Sequence, residues 1–169
     1  MIRIARIRDV KMPCRKTVGA AGIDFYMPKI DELFIRDFKA KEQNQHIDVL
    51  DTAKNALMVP PRSQALIPSG IVCEIPEGFA LIAHNKSGVS TKKQVIFVAD
   101  VVDDDYRGEL HLSIFNLNDK NVIFEEGDPV VQFILTPIFK DEIHEFSLDD
   151  VFTRGPSARG AGGFGSTGS

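Results

Sequence analysis

The fold class is decided by the stretch GELHLSIFN at residues 108–116. Leu110, Leu112 and Ile114 occupy every second position there, which is the period of a β-strand with one buried face. Similar short runs lie between Pro and Gly residues from Pro60 onward, at residues 64–72, 79–84, 95–98, 128–136 and 142–146. Many short strands separated by turn residues are typical of an all-β sandwich or barrel. Residues 1–8 alternate apolar and basic side chains and predict a further strand with one buried face.

Residues 28–57 interrupt this series of short strands. Apolar side chains recur there at helical spacing, at Ile30, Leu33, Phe34 and Phe38. The spacing predicts an amphipathic helix near residues 30–41, followed by a polar loop through residues 44–46. We interpret the segment as an insertion between two strands. It is either a decorated surface hairpin, which we favour, or an element that binds a partner.

Composition narrows the class of protein. A chain of 169 residues with 43% hydrophobic residues fits one globular domain with a real core. The formal net charge of −4 argues against a general nucleic-acid coat. No apolar run approaches the ~18–20 residues of a membrane span, and the N-terminus lacks the apolar block of a signal peptide. Two widely spaced cysteines indicate a reducing, cytoplasmic compartment, and the four histidines show no metal-ligand spacing.

The C-terminus is rich in glycine, with six of the 13 glycines in the last fifteen residues. Glycine frees the backbone to turn several N–H groups towards one anion, and Arg159, Ser166 and Thr167 add donors suited to phosphate. Phe164 is a lone aromatic ring that could close over a ligand base. From composition alone, the segment is either a flexible end or a backbone shaped around a ligand.

Two further stretches carry polar groups. Four carboxylates fall within residues 100–105, after one apolar run and before another. Asp103 directly follows two valines and could serve as a general base for water or as a metal ligand, although an ordinary acidic turn also explains the cluster. Lys86, Ser87 and Gly88 supply a cation, a hydroxyl and a glycine, a combination able to hold a phosphate.

The order of these parts resembles the trimeric deoxyuridine triphosphatase (dUTPase) family. Its five motifs are matched by AGIDF at 21–25, KSG at 86–88, VDDDYRG at 102–108, GDPVVQ at 127–132 and RGAGGFGSTG at 159–168. The resemblance implies a distorted jelly-roll β-barrel over residues 1–153 with a short helical insertion at about 28–57. It also implies a flexible, Gly-rich C-terminal arm at 154–169 that closes the active site, and a homotrimer with active sites shared between subunits. The activity implied is hydrolysis of dUTP to dUMP and pyrophosphate, with Mg²⁺ carried on the triphosphate.

The resemblance also assigns roles to residues. Asp103 matches the aspartate that activates the water attacking the α-phosphate, and Tyr106 matches the tyrosine that packs on the deoxyribose and excludes a 2′-hydroxyl. The hairpin from Val101 and Val102 to His111 is expected to read uracil.

The phosphate-binding half is assigned in the same way. The residues that bind the α- and β-phosphates in the family are matched by Lys86, Ser87 and Gly88, with Gln132 nearby. In the arm, Arg159, Ser166 and Thr167 match γ-phosphate ligands, while Phe164, followed by Gly165, matches the ring that stacks on uracil. Asp24 matches a motif aspartate that is at most an outer-sphere partner of Mg²⁺.

Four positions depart from the family pattern. Lys86 stands in place of arginine, Phe97 of asparagine, Asp100 of glycine and Pro129 of arginine. These departures and the insertion motivate an alternative, a regulatory protein of the dUTPase fold that binds a partner through residues 28–57. A dCTP deaminase is a weaker alternative, because Ser113 stands where that family has its catalytic glutamate. A capsid-type or lectin-like jelly roll leaves the glycine-rich motif unexplained.

Overall fold

A computed structural model describes residues 1–47, 50–51, 56–158 and 160–162, with the backbone alone described at 50–51. The chain divides into two compact units, Met1–Phe139 and Lys140–Ser169. The predicted domain boundary between residues 153 and 154 stays a prediction. Among the described residues, none of the helices is both long enough and apolar enough to cross a membrane.

The first unit is built mainly of β-strands. In chain order these are β1 Arg3–Arg6, β2 Ile23–Tyr26, β3 Leu50–Asp51, β4 Ala56–Val59, β5 Gln64–Pro68, β6 Ile71–Glu74, β7 Phe79–His84, β8 Val95–Phe97, β9 Val101–Val102, β10 His111–Asn116, β11 Val122–Glu125 and β12 Pro129–Pro137. Helices α1 Glu32–Lys39 and α2 Ser87–Lys93 and a 3₁₀ turn at Glu42–Asn44 complete the described elements. The predicted all-β fold class is confirmed.

The strands pair antiparallel in four small sheets, with strand orders β2-β12-β7-β9, β5-β10-β8, β11-β4-β3 and β1-β6. The core between them is mainly apolar, and within it Phe25 and Phe133 meet edge to face at 4.7 Å. As the alternation in residues 108–116 predicts, Leu112 and Ile114 of β10 point into this core. The sheets therefore provide the rigid frame for the loops that carry the predicted site.

Two strand predictions need correction. The predicted strand at 64–72 is two strands, because the chain turns at Gly70, which has a φ of +76° that glycine adopts without strain. The prediction of a strand at 142–146 is wrong. Ile143 is 99% exposed and Phe146 is 64% exposed, so this short run lacks the buried face that would stabilise a strand.

One face of the insertion packs into the core, so our favoured interpretation of a surface hairpin needs correction, although the outer face of α1 is exposed. Asp31 caps the N-terminus of α1 by accepting a hydrogen bond from the Phe34 N–H, and the helix begins and ends two residues inside the predicted range. Phe34 and Phe38 are fully buried and stack at 5.6 Å. The predicted polar loop at 44–46 is also wrong in part. Asn44 is fully buried, and its side chain exchanges two hydrogen bonds of 2.8 Å with the backbone of Leu66 in β5.

Candidate active site

The phosphate-binding half of the predicted site is centred on an ion pair between Lys86 and Asp24. Asp24 lies in β2 and is only 2% exposed, while Lys86 follows β7 and precedes α2. The Lys86 ammonium donates to both Asp24 carboxylate oxygens at 3.0 Å. An ammonium has three donors, so one donor remains for a ligand. Ser87 and Gly88 follow at the exposed start of α2, and a Cβ at Gly88 would meet open space.

The burial of Asp24 gives a prediction for Lys86→Met. This variant leaves a buried carboxylate without its cation, and we expect it to lower the free energy of unfolding by roughly 3 kcal/mol. The double variant Asp24→Asn, Lys86→Met removes both charges and should recover most of that loss. Urea unfolding at one fixed protein concentration measures both. Equal destabilisation in the single and the double variant would contradict the pairing argument.

Gln132 joins this half of the site from β12. It lies opposite Asp24 on one side and His84 on the other, and its amide donates to the Asn85 carbonyl at 3.1 Å. Gly22 makes room for it, because a Cβ there would lie 2.2 Å from the Gln132 side-chain oxygen. The fold therefore brings the first, second and fourth motifs together.

A cavity of about 330 Å³ opens beside this cluster and is lined by Lys86, Gly88, Val89, Lys92, Lys93, Asp128 and Pro129. Lys93 donates to Asp128 at 3.2 Å and lies 4.7 Å from the centre of the Phe124 ring. Pro129 begins β12, where its missing N–H is tolerated, and a register shift follows it. Sequence reasoning missed Lys93 as a neighbour of the site. Asp128 was quoted within the fourth motif but was given no role.

The acidic turn forms a loop of residues 103–110, which we call the Asp103 loop. Val101 and Val102 pair with Ile82 and Leu81 of β7, and Asp103 follows as an exposed carboxylate. The expectation of a hairpin from Val101 to His111 is wrong. β9 pairs only with β7 among the described strands, whereas β10 pairs with β5 and β8, so the loop joins two sheets. Leu110 secures its far end by donating to the Ile71 carbonyl at 2.8 Å.

Tyr106 is held in place within the Asp103 loop. Its hydroxyl donates to the Glu109 carbonyl at 2.9 Å, and its ring lies over Gly108, where a Cβ would come within 2.4 Å of the hydroxyl oxygen. The same Glu109 carbonyl contacts Nδ1 of His111 at 2.9 Å, and because a carbonyl only accepts, that nitrogen carries the hydrogen. Burial, followed by the charge of Lys41, lowers the pKa of His111, so the ring is favoured in its neutral form.

Of the departures from the family pattern, Phe97 has a side chain with a structural role and Asp100 does not. Phe97 packs edge to face on Phe133 at 6.1 Å, and its N–H donates to the Asn85 side chain at 2.7 Å. The exposed Asp100 uses its carbonyl to accept the Ala83 N–H at 2.6 Å, a contact that does not depend on its side chain. Ser113, at the position of the deaminase glutamate, is fully buried and bonded to Gln64 at 2.9 Å.

The arm residues of the predicted site lie outside the described residues. These are Arg159, Phe164, Gly165, Ser166 and Thr167. Their roles stay predictions.

Comparison with known proteins identifies the family. The dUTPase family model matches residues 49–168. The chain belongs to the dUTPase family. Its curated relatives include the deoxyuridine 5′-triphosphate nucleotidohydrolases of Rhizobium etli, 30% identical over 170 residues, and Rhizobium rhizogenes, 31% identical over 171 residues. Each alignment covers 99% of this chain and 92% of the relative. The enzyme class predicted from the sequence, a dUTP diphosphatase, is confirmed by this membership.

Solved structures agree on the fold of this dUTPase family member. The dUTPase of Staphylococcus bacteriophage 80alpha with dUPNHPP matches with a TM-score of 0.72 at 20% identity, covering 100% of this chain and 99% of that one. The dUTPase from phage phi11 of S. aureus, described with a species-specific insert, matches with a TM-score of 0.66 at 18% identity, covering 90% and 99%. The predicted jelly-roll-like architecture is confirmed.

Proposed function

We propose that this protein hydrolyses dUTP to dUMP and pyrophosphate, with Asp103 as the base that activates water for attack on the α-phosphate. The observation that carries the proposal is the Asp103 loop of a dUTPase family member. It presents an exposed carboxylate three residues before a tyrosine whose hydroxyl is fixed by the Glu109 carbonyl. An exposed carboxylate keeps a free lone pair for the proton of a water molecule.

Charge neutralisation is the second requirement of attack on a triphosphate. Lys86 has one donor left after its pairing with Asp24, and the neighbouring cavity adds Lys92 and Lys93. We assign the grip on the α- and β-phosphates to Lys86, Ser87 and Gly88, with Gln132 beside them. The arm residues from Arg159 to Thr167 would complete the site on the γ-phosphate and uracil.

Magnesium is treated as part of the substrate. Within residues 1–47, 56–158 and 160–162, no three His, Cys, Asp or Glu side chains form a group that could hold a metal ion. Asp24 gives both oxygens to Lys86 and is almost fully buried, so it is suited at most to an outer-sphere contact. The triphosphate itself supplies the hard oxygen ligands that Mg²⁺ prefers.

Strand register supports an active site shared between subunits of a homotrimer. Asp103 comes after Val102, which lies opposite Leu81 near the start of β7, whereas Lys86 comes after the end of that strand at His84. The three residue steps from Leu81 to His84 span roughly 10 Å along β7. Asp103 and Lys86 lie beyond the two opposite ends of that span. Groups that act on one phosphate must lie within a few Å of it. We therefore propose that Asp103 of one subunit works with Lys86 of another.

The alternatives are not favoured. The apolar residues Phe34, Phe38 and Ile47 of the insertion are fully buried in the chain's own core and so are not part of a surface for a protein partner. A deaminase would need a carboxylate where Ser113 is buried and bonded to Gln64. We also propose that the protein is intracellular, where the free thiols of Cys14 and Cys73 stay reduced.

The experiment that tests the proposal measures pyrophosphate release from the Mg²⁺ complexes of dUTP, dCTP, dTTP and UTP. We expect dUTP to be the preferred substrate by at least ~100-fold in kcat/KM, since a closely fitting site rejects an added methyl or hydroxyl group and a base whose hydrogen-bonding groups differ. EDTA in excess should stop turnover by removing the metal from the substrate. A protein that releases no pyrophosphate from dUTP, or that prefers another of the four, contradicts the proposal.

A further inference from the structure

Arg8 forms a buried ion cluster outside the residues assigned to the site. Its side chain is 6% exposed, and its guanidinium binds the Glu109 carboxylate twice, from Nε at 2.9 Å and from Nη2 at 3.1 Å. Nη2 also donates to Asp37 at 2.5 Å. The remaining nitrogen, Nη1, is buried and has no hydrogen-bond partner among the described residues. A buried charge cluster with an unpaired donor contributes little net stability. We therefore ask which neighbouring groups the cluster holds in position.

Glu109 links this cluster to the Asp103 loop. One of its carboxylate oxygens accepts from Arg8 and also from the Gly70 N–H at 2.7 Å, so groups outside the loop hold its side chain. The Glu109 carbonyl, in turn, accepts from both Tyr106 and His111. A single residue therefore connects the buried guanidinium to the tyrosine ring assigned to the deoxyribose.

The insertion supplies the outer end of the cluster. Asp37 lies in α1 and accepts from Arg8 on one oxygen and from Arg36 on the other. The hydrogen bonds from Arg36 and then from Arg8 lower the pKa of Asp37 to about 2, so the carboxylate is ionised at neutral pH. With α1 anchored in the core through Phe34 and Phe38, Asp37 is a fixed partner for Arg8.

We propose that Arg8 and Glu109 are positioning residues that set the selectivity for deoxyribose over ribose, by fixing the carbonyl to which Tyr106 is bonded. Asp37 extends this support into the insertion, which gives the insertion a part in substrate choice without a protein partner. The inference rests on the proposed function, because the ring of Tyr106 matters to selectivity only if the loop binds a deoxynucleotide. Neither Arg8 nor Glu109 needs to touch the substrate.

The test compares the wild type with Glu109→Gln, which keeps the shape of the side chain but removes its charge. We expect the ratio of kcat/KM for dUTP to that for UTP to fall about tenfold, with KM for dUTP raised about tenfold and kcat changed less than ~3-fold. Asp37→Asn, farther from the loop and partly exposed, should lower the ratio about threefold. If Glu109→Gln does not fold, Asp37→Asn tests the inference in its place.

The matched control is Asp119→Asn, which breaks the exposed pair between Arg62 and Asp119 at 2.8 Å and should leave the ratio unchanged. Circular dichroism and light scattering establish that each variant is folded and assembled. Folded variants that keep the wild-type ratio, or that lose activity equally with dUTP and UTP, would reduce the cluster to a structural ion pair and overturn the inference. A wild-type protein without dUTP turnover would instead overturn the proposed function, and this inference with it.

Discussion

Replacing Asp103 by asparagine is expected to lower kcat for dUTP by roughly 10²–10⁴-fold, the usual contribution of a general base. Asparagine has the same shape as aspartate but cannot take a proton from water. Asp103 is exposed, and its backbone carbonyl accepts the Tyr106 N–H at 3.3 Å, a contact that the substitution keeps. The loop should therefore keep its conformation. Pyrophosphate release at saturating dUTP measures kcat, and KM should change little.

Asp105→Asn is the matched control for this experiment. Asp105 is an exposed carboxylate in the same loop, and the same charge is lost in both variants. A change in the general electrostatics of the loop would therefore affect the two variants alike, whereas loss of a base affects Asp103→Asn alone. Full turnover in Asp103→Asn, or an equal loss in both, would remove Asp103 from the role of base.

The fold class was predictable because it depends on local periodicity. Leu112 and Ile114 alternate with their neighbours over one short stretch, and such alternation indicates a strand whatever its partners are. A strand was also predicted at residues 142–146, but its apolar residues Ile143 and Phe146 are three positions apart and both are exposed. Periodicity shows that a segment is able to have a buried face; whether another strand covers that face depends on the rest of the chain.

The insertion also shows that a local pattern does not reveal which distant residues cover a segment. Its helix was predictable from the spacing of Phe34 and Phe38, but its burial was not, because burial depends on distant contacts. Asn44 illustrates this well. A polar residue after a helix usually indicates a solvated loop, yet here both ends of its amide are satisfied by the backbone of Leu66.

The candidate site was found through the resemblance of its motifs rather than from any single residue. The juxtaposition of Asp24, Lys86 and Gln132 follows from strand pairing between β2, β12 and β7, which no local pattern reveals. Glu109 was passed over for the same reason. It is an ordinary glutamate in the sequence, and its importance comes from the approach of Arg8, 101 residues away.

The separation of Asp103 from Lys86 along β7 leads to the second large effect. If every active site takes Asp103 from one subunit and Lys86 from another, two inactive variants can restore activity when they assemble together. One partner is Asp103→Asn. The other is the double variant Asp24→Asn, Lys86→Met, chosen so that no unpaired carboxylate remains buried to unfold the protein.

Each variant alone is expected to show almost no turnover of dUTP. After the two are unfolded and refolded together in equal amounts, about a quarter of the sites should combine an intact Asp103 with an intact Lys86, so about a quarter of the wild-type rate should return. The controls are each variant refolded alone and the two folded variants mixed without unfolding, which should stay inactive as long as subunits do not exchange. If each chain instead contained a complete site, every site in the mixture would carry one of the two lesions. Co-refolded assemblies of the correct mass without restored activity would therefore contradict the shared site.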